Sequence, residues 1–304
     1  MPREDISFKT ADQTTLRGWL YKPPNPISGP LPCLVIAHGF SAVKDMILPR
    51  FAEHFATNLP MACLVYDHRG FGDSDNQASQ PRQEIIPAHQ ISDYSDAITY
   101  LQRRSDINPD RIGIWGTSYS GGHVLCVGAI DRRVKAVVSQ VPFVDGWENF
   151  HRLIRPDFVP LVNKLIQEDR LAVAAGEAPK CLPVVNENPL AQSALPSPDS
   201  YQFFTTYGRG TKWENSVTVK SLEALRGYIP ATYVEHISPI PLLMVVAEND
   251  QATPPDLALK AYAKALEPKS LHILRGGHFD AYDGSHFEES IKVQTAFLRR
   301  RLCY

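Results

Sequence analysis

Apolar positions along the chain fall into short unbroken runs that alternate with longer stretches of helical period. Residues 6–23 predict two antiparallel strands around the turn Asp12-Gln13-Thr14, followed by a Pro/Gly-rich loop from Pro23 to Pro32. Cys33–Ala37 is a continuous apolar run that ends in His38-Gly39. Residues 45–58 predict a helix, with Phe51, Phe55 and Leu59 at i, i+4 and i+8. Met61–Tyr66 is the next strand, and the loop Asp67–Ser74 follows it. An amphipathic helix over Ser92–Arg103, a strand at Arg111–Trp115, a helix at Gly121–Ile130 and a strand at Val134–Val141 continue the rhythm. Strands without apolar/polar alternation, separated by helices, predict an α/β fold: a mostly parallel central sheet with helices on both faces.

The rhythm stops at Asp145 and stays absent to about Glu235. That stretch offers helical pieces (Phe158–Ala175), a Pro-rich link (Pro179–Pro198) and scattered aromatics such as Tyr201, Phe203, Phe204 and Trp213. Strand, helix, strand and helix then return at Pro241–Ala247, Pro255–Leu266, Ser270–Leu274 and near Glu288–Leu302. An interruption of about 90 residues far exceeds an ordinary loop. The expected organisation is therefore a core of residues 1–144 and 236–304 with a helical cap or lid over 145–235.

Composition narrows the functional classes. The 304 residues carry 43% hydrophobic and 21% charged residues with a net charge of −2, which excludes a disordered chain. Near-neutral charge argues against a nucleic-acid or anionic-membrane partner. No run approaches the ~18 apolar residues of a membrane helix. The start, Met1-Pro-Arg-Glu-Asp5, lacks an apolar leader, and the five cysteines form no C-x-x-C. A cytoplasmic protein with reduced, buried thiols is the expectation. Metal ligation has no motif behind it, nor does nicotinamide or ATP binding, so no cofactor and no metal are expected.

The chemistry concentrates at Gly116-Thr-Ser118-Tyr-Ser-Gly121-Gly122, where a strand ends and a helix begins. Gly two residues before Ser118 lets a strained turn close, and small residues after it let the helix approach the strand. This is the setting of a nucleophilic serine, although the pattern G-x-S-x-G wants Gly where Ser120 stands. Ser120 is itself a weaker nucleophile candidate, because Ser118 rather than Gly lies two before it. A serine hydroxyl needs a base. His278, in Arg275-Gly-Gly-His-Phe279 after the last strand, is the expected one, ahead of His286 and of His272 within a strand. The orienting acid is expected after the penultimate strand at Asp250, with Glu248 and Asp145 as alternatives. Backbone amides of Tyr119 and Phe40 are the expected oxyanion donors. Asp67-His-Arg-Gly-Phe-Gly72 has no P-loop lysine and reads as a structural loop.

Several segments together resemble a known family. They are His38–Asp45, Tyr66–Gly72, Pro81–Pro87, Ile91–Tyr100 and above all Gly116-Thr-Ser-Tyr-Ser-Gly-Gly-His123. They are similar to fungal α/β hydrolases encoded in polyketide and toxin gene clusters, the polyketide transferase group of the fumagillin pathway included. The resemblance implies an α/β-hydrolase fold and a Ser-His-Asp enzyme, with Ser118, Asp250 and His278 at the triad positions. It implies a small-molecule polyketide or ester substrate, a carrier protein being one source of the acyl group. The reaction would be release of the chain or its transfer to an alcohol. Two other readings stand beside it: cyclisation or condensation with His278 as base and no acyl-enzyme, and a non-catalytic binding protein on the same fold.

Overall fold

The structure is a computed structural model describing residues 3–78 and 80–304; Met1 and Pro2, the first residues of the start read above, lie outside the described residues. β1 (Arg3–Lys9) and β2 (Thr15–Tyr21) form the expected hairpin, with Gln13 at φ 68° in its turn. The alternation then runs β3 (Leu31–Ala37), α1 (Leu48–Asn58), β4 (Ala62–Tyr66), α2 (Pro87–Gln102), β5 (Ile107–Thr117), α3 (Tyr119–Ile130) and β6 (Val134–Gln140). Next come α4 (Gly146–Leu153), α5 (Val159–Ala174), β7 (Cys181–Leu182), α6 (Pro198–Tyr207), β8 (Val217–Thr218) and α7 (Val219–Arg226). The chain closes with β9 (Leu242–Ala247), α8 (Pro255–Lys264), β10 (Lys269–Leu274) and α9 (Gly284–Leu298).

Eight strands make one sheet in the order β1-β2-β4-β3-β5-β6-β9-β10. Only β2 runs antiparallel to its neighbours; every pairing from β4 to β10 is parallel. Because successive side chains of a strand point to opposite faces, an apolar run needs cover on both. Cys33, Val35 and Ala37 of β3 enter a core with α2, α3 and α8 residues such as Tyr94, Val124 and Leu257. Leu34 and Ile36 enter the other core, with Phe51 and Phe55 of α1 and Ile291 of α9.

Several boundaries differ from the sequence reading. The strand expected at Arg111–Trp115 starts at Ile107, where Leu31 of β3 pairs with it across an irregular register. The helix expected from Ser92 starts five residues earlier at Pro87, a good first helical residue followed by polar side chains. Within 145–235, where no strand was expected, β7 and β8 make a two-residue antiparallel ladder. Four cysteines are buried as expected, but Cys181 is exposed. Turns at Pro230–Thr232 and Val234–His236 pack against α3 and α8, on the core side. No helix of the described residues is long and apolar enough to cross a membrane.

The chain leaves β3 toward β4 on one side and returns past it to β5 on the other, with α1 and α2 on opposite faces. The carboxyl ends of β3 and β5 therefore border a crevice where the strand order reverses, the usual ligand site of such sheets.

Candidate active site

His38-Gly39 ends β3 and Thr117-Ser118 ends β5, so both flank this crevice. Ser118 sits at φ 57°, ψ −117°, a left-handed conformation that the tight strand-to-helix turn imposes. Its amide donates to the Gln140 carbonyl at 2.9 Å, and its own carbonyl accepts from Phe143 N–H at 2.9 Å. Glycines make the turn possible: a Cβ on Gly116 would lie 2.0 Å from the Ser120 carbonyl oxygen. One on Gly39 would lie 2.9 Å from the Ser118 Cβ, and one on Gly122 would meet the Phe143 carbonyl oxygen at 2.3 Å.

The structure brings Ser118, His278 and Asp250 together from three separate loops. The Ser118 hydroxyl donates to His278 Nε2 at 3.0 Å, and His278 Nδ1–H donates to Asp250 Oδ2 at 2.7 Å. His278 and Asp250 are buried, whereas Ser118 is half-buried and borders the pocket. Asp250 is held from behind. Its Oδ1 accepts from the Ala252 and Thr253 amides at 2.9 and 2.6 Å, and its Oδ2 lies 2.9 Å from the Thr253 hydroxyl. Downstream, the Gly277 amide donates to Asp280 Oδ2 at 2.7 Å, which shapes the loop that presents His278. The other candidates lie elsewhere. His272 faces Glu289 at 3.2 Å, His286 lies in the first turn of α9, Glu248 is exposed, and Asp145 caps α4 through the Glu148 amide.

Phe40 and Tyr119 both line this pocket, and their rings meet edge to face with centroids 5.6 Å apart. Ser120 is fully buried beneath them. Its hydroxyl donates to the His38 carbonyl at 2.5 Å and accepts from His68 Nε2–H at 2.9 Å. The residue that departs from G-x-S-x-G thus ties the start of α3 to the end of β3. His38 continues the network: its Nδ1–H donates to the Gly39 carbonyl at 3.0 Å, and its Nε2 accepts from the His68 amide at 3.1 Å. His123 donates from Nε2–H to Gln90 Oε1 and accepts at Nδ1 from the Tyr228 hydroxyl, both at 2.8 Å. Burial disfavours charge on all three rings, taking His38 down to about 4, His123 to about 3 and His68 well below its ordinary value. Sequence reasoning missed this network; its one legible sign was the serine in place of the glycine.

A second buried cluster braces the same loop. Asp45, Asp67 and Asp73 come close enough to suggest a cation site, but the Lys44 ammonium already lies among them. It donates to Asp67 Oδ2 at 2.8 Å, to Asp73, and to Asp45 Oδ2 at 3.4 Å, with the Trp19 ring 4.4 Å away. Burial opposes the charge of Lys44, but the three carboxylates outweigh it and raise its pKa. Asp67 also accepts from the Lys44 and Asp73 amides at 2.6 and 2.9 Å, and a Cβ on Gly72 would come within 2.3 Å of its carboxylate. Asp67–Gly72 is accordingly a structural loop.

Residues from the insertion close the pocket. Leu153 of α4, Phe203 and Phe204 of α6 and Leu225 of α7 face Ser118 across it. Phe203 stacks on Phe279, the neighbour of His278, with centroids 4.5 Å apart. Lys212 reaches down to Asp73, and the Tyr207 hydroxyl donates to Asp283 at 2.7 Å. The arrangement offers a hydroxyl with a base, a fixed carboxylate and an apolar wall.

Comparison with known proteins gives the family of the chain. Residues 32–285 match the family described as alpha/beta hydrolase fold. The polyketide transferase grgF of Penicillium sp is 32% identical, over 100% of this chain and 98% of its own. Its crystal structure superposes with a TM-score of 0.86 over the whole of both chains. A thiohydrolase of Eupenicillium brefeldianum is 31% identical over 98% of this chain and 94% of its own. The quorum-quenching protein AidA of Acinetobacter baumannii is 32% identical over 97% and 94%. The resemblance read from the motifs, to fungal hydrolases of polyketide clusters, is borne out by the first two.

Proposed function

The chain belongs to the α/β-hydrolase family and is an enzyme of hydrolase type; on that premise we propose that it cleaves or transfers a polyketide acyl ester or thioester through Ser118, His278 and Asp250. The observation that carries the reading is the hydrogen-bonded series Ser118–His278–Asp250 at 3.0 and 2.7 Å, opening on an apolar pocket. The names of the fungal relatives support the substrate class.

In this mechanism the Ser118 Oγ attacks the acyl carbonyl carbon while its proton passes to His278 Nε2. Asp250 holds the ring in the Nδ1–H form and stabilises the imidazolium. The negative oxygen of the tetrahedral intermediate lies at the Phe40 and Tyr119 amides. Its collapse breaks the bond to the leaving thiol or alcohol, which takes the proton from His278. Water or a substrate hydroxyl then attacks the acyl-Ser118 ester, its proton passing to His278 and back to Ser118 Oγ. The thiol of a carrier protein is one leaving group this scheme accepts, and the insertion acts as a cap over the acyl chain. Reduced thiols, consistent with five unpaired cysteines, fit a cytoplasmic setting.

Intact-mass spectrometry after exposure to a fluorophosphonate tests the reading. One adduct on the wild type and none on Ser118→Ala is the expected result; an unlabelled wild type overturns the acyl-enzyme.

A further inference from the structure

Three cavities, the first lined by Ser118, adjoin one another through shared lining residues. The one beside Ser118 has a volume of about 60 Å³, room for only a few water-sized groups. A second, of about 30 Å³, adjoins it and shares Asn149, Leu153 and Leu225 with it. The third is a groove of about 710 Å³ between α5 and the segment 189–196, and it shares Ile154, Val162, Gln192 and Ser193 with the second. Leu153, the half-buried last residue of α4, borders all three.

Two features of the groove ask for an occupant. Leu161 and Leu190 line it while 59% and 60% exposed, an arrangement that favours an apolar guest. At its junction with the second cavity, the Ser193 hydroxyl is buried without a hydrogen-bond partner. An acyl chain held with its carbonyl at Ser118 outgrows the inner chamber after a few carbons, and the lining that chamber shares with the second cavity, Asn149, Leu153 and Leu225, leads toward the groove.

We infer that these cavities are segments of one channel, and that its occupant is the distal part of a long acyl chain whose carbonyl lies at Ser118. The inference rests on the acyl-transfer reading and deepens it. The substrate class is a predominantly apolar acyl thioester too long for the inner chamber, carrying a hydroxyl or keto oxygen where it passes Ser193. Rotation of the Leu153 side chain joins the inner chamber to the groove.

The test is a chain-length series of N-acetylcysteamine thioesters from butanoyl to tetradecanoyl, read as kcat/KM for thiol release. Leu161→Asp and Leu190→Asp, both at exposed positions, are expected to lower the tetradecanoyl value roughly tenfold, the equivalent of one or two buried methylenes. They leave butanoyl unchanged. Leu153→Trp is expected to lower the ratio of long-chain to short-chain rates by a similar factor. If Leu153→Trp fails to fold, the two groove variants decide alone. A hydroxyl walked along the tetradecanoyl chain is expected to help at one position, and Ser193→Ala to abolish that gain.

Groove variants that treat every chain length alike overturn the channel and leave the groove to a macromolecular partner. If no thioester turns over and Ser118 takes no label, the acyl-transfer reading has failed on its own. Calorimetry with a non-hydrolysable tetradecyl thioether then decides: binding weakened by Leu190→Asp keeps the channel, and binding that ignores the change, or no binding, overturns it.

Discussion

Helix α3, whose first residue lines the pocket beside Ser118, and helix α5, which lines the outer groove, are built in opposite ways. Ten of the twelve residues of α3 are buried, and its apolar side chains point all round. Of the sixteen residues of α5, only Val162 and Asp169 are buried. Every surface of α3 meets something: β5 and β6 beneath, α2 beside it, and the turns of residues 230–236 above. The segment that carries α5 joins the core through a shared apolar cluster, where Phe204, Leu222 and Leu225 sit with Phe40 and Ile47, and through contacts such as Phe203 on Phe279, Tyr207 on Asp283 and Lys212 on Asp73. Of α5 itself, only Val162 is buried in that cluster. The packed side leaves the turn that carries Ser118 little room to move, because a close-packed interior offers no other position. The exposed helix α5 has freedom to change what its groove admits.

The sharpest way to break this contrast is at the reacting groups. His278→Ala is expected to lower turnover by about 10⁴-fold or more, comparably to Ser118→Ala, because such residues act as a unit. Steady-state kinetics on one acyl thioester checks it, and a rate near wild type would remove His278 from the mechanism.

A smaller effect is expected one layer down. Ser120→Ala strips a partner from the His38 carbonyl and from His68 Nε2, both buried. The cost is about 1–3 kcal/mol of stability, read by denaturant unfolding. A fall in kcat with KM little changed is expected alongside, since the clamp positions the Phe40 and Tyr119 amides rather than the acyl chain. A loss confined to stability would make Ser120 a packing residue only.

The same network sets a pH dependence. His38 and His123 stay neutral in the folded chain down to about 4 and about 3, whereas an unfolded histidine takes its proton near 6.5. Below pH 6.5 the unfolded chain therefore binds more protons, and stability falls as the pH drops toward 4. Each ring contributes about 2 kcal/mol of loss at pH 5. Melting curves from pH 7 to 5 measure this, and His123→Gln should flatten the slope. A flat wild-type profile would mean that the rings are protonated in the folded state.

The smallest effect is expected on the other side of the comparison. Lys212→Ala removes a largely exposed ion pair with Asp73, worth about 0–1 kcal/mol. Thermal unfolding should barely move. A shift of several degrees would show that this one pair anchors the segment more firmly than an exposed ion pair should.

Much of this was legible in the residues themselves. Runs such as Cys33–Ala37 and Leu242–Ala247 can only be strands covered on both faces, and their alternation with helices implied the sheet. Gly116 and Gly121 around Ser118, and the paired glycines before His278, marked the loops that hold the proposed site. Less could be read where a role depends on a distant neighbour. Asn108-Pro-Asp110 is polar, yet it belongs to β5 because β3 lies alongside. Ser120 looked like a failed nucleophile, and its bonds to residues 52 and 82 positions away made it a clamp. Nothing near Lys44 in the sequence marks it as buried; the carboxylates of Asp45, Asp67 and Asp73, from two loops, hold it there.

The local order of apolar and small residues was enough to determine the layered α/β core and the three loops that bear Ser118, Asp250 and His278, because strand burial and tight turns are short-range demands that particular residue types must meet. The distances among those side chains, the neutral histidines beneath them and the adjoining cavities that share Leu153 were decided only by tertiary structure. Each of these depends on how segments far apart in the chain come to share one small volume, and no stretch of sequence carries that geometry by itself.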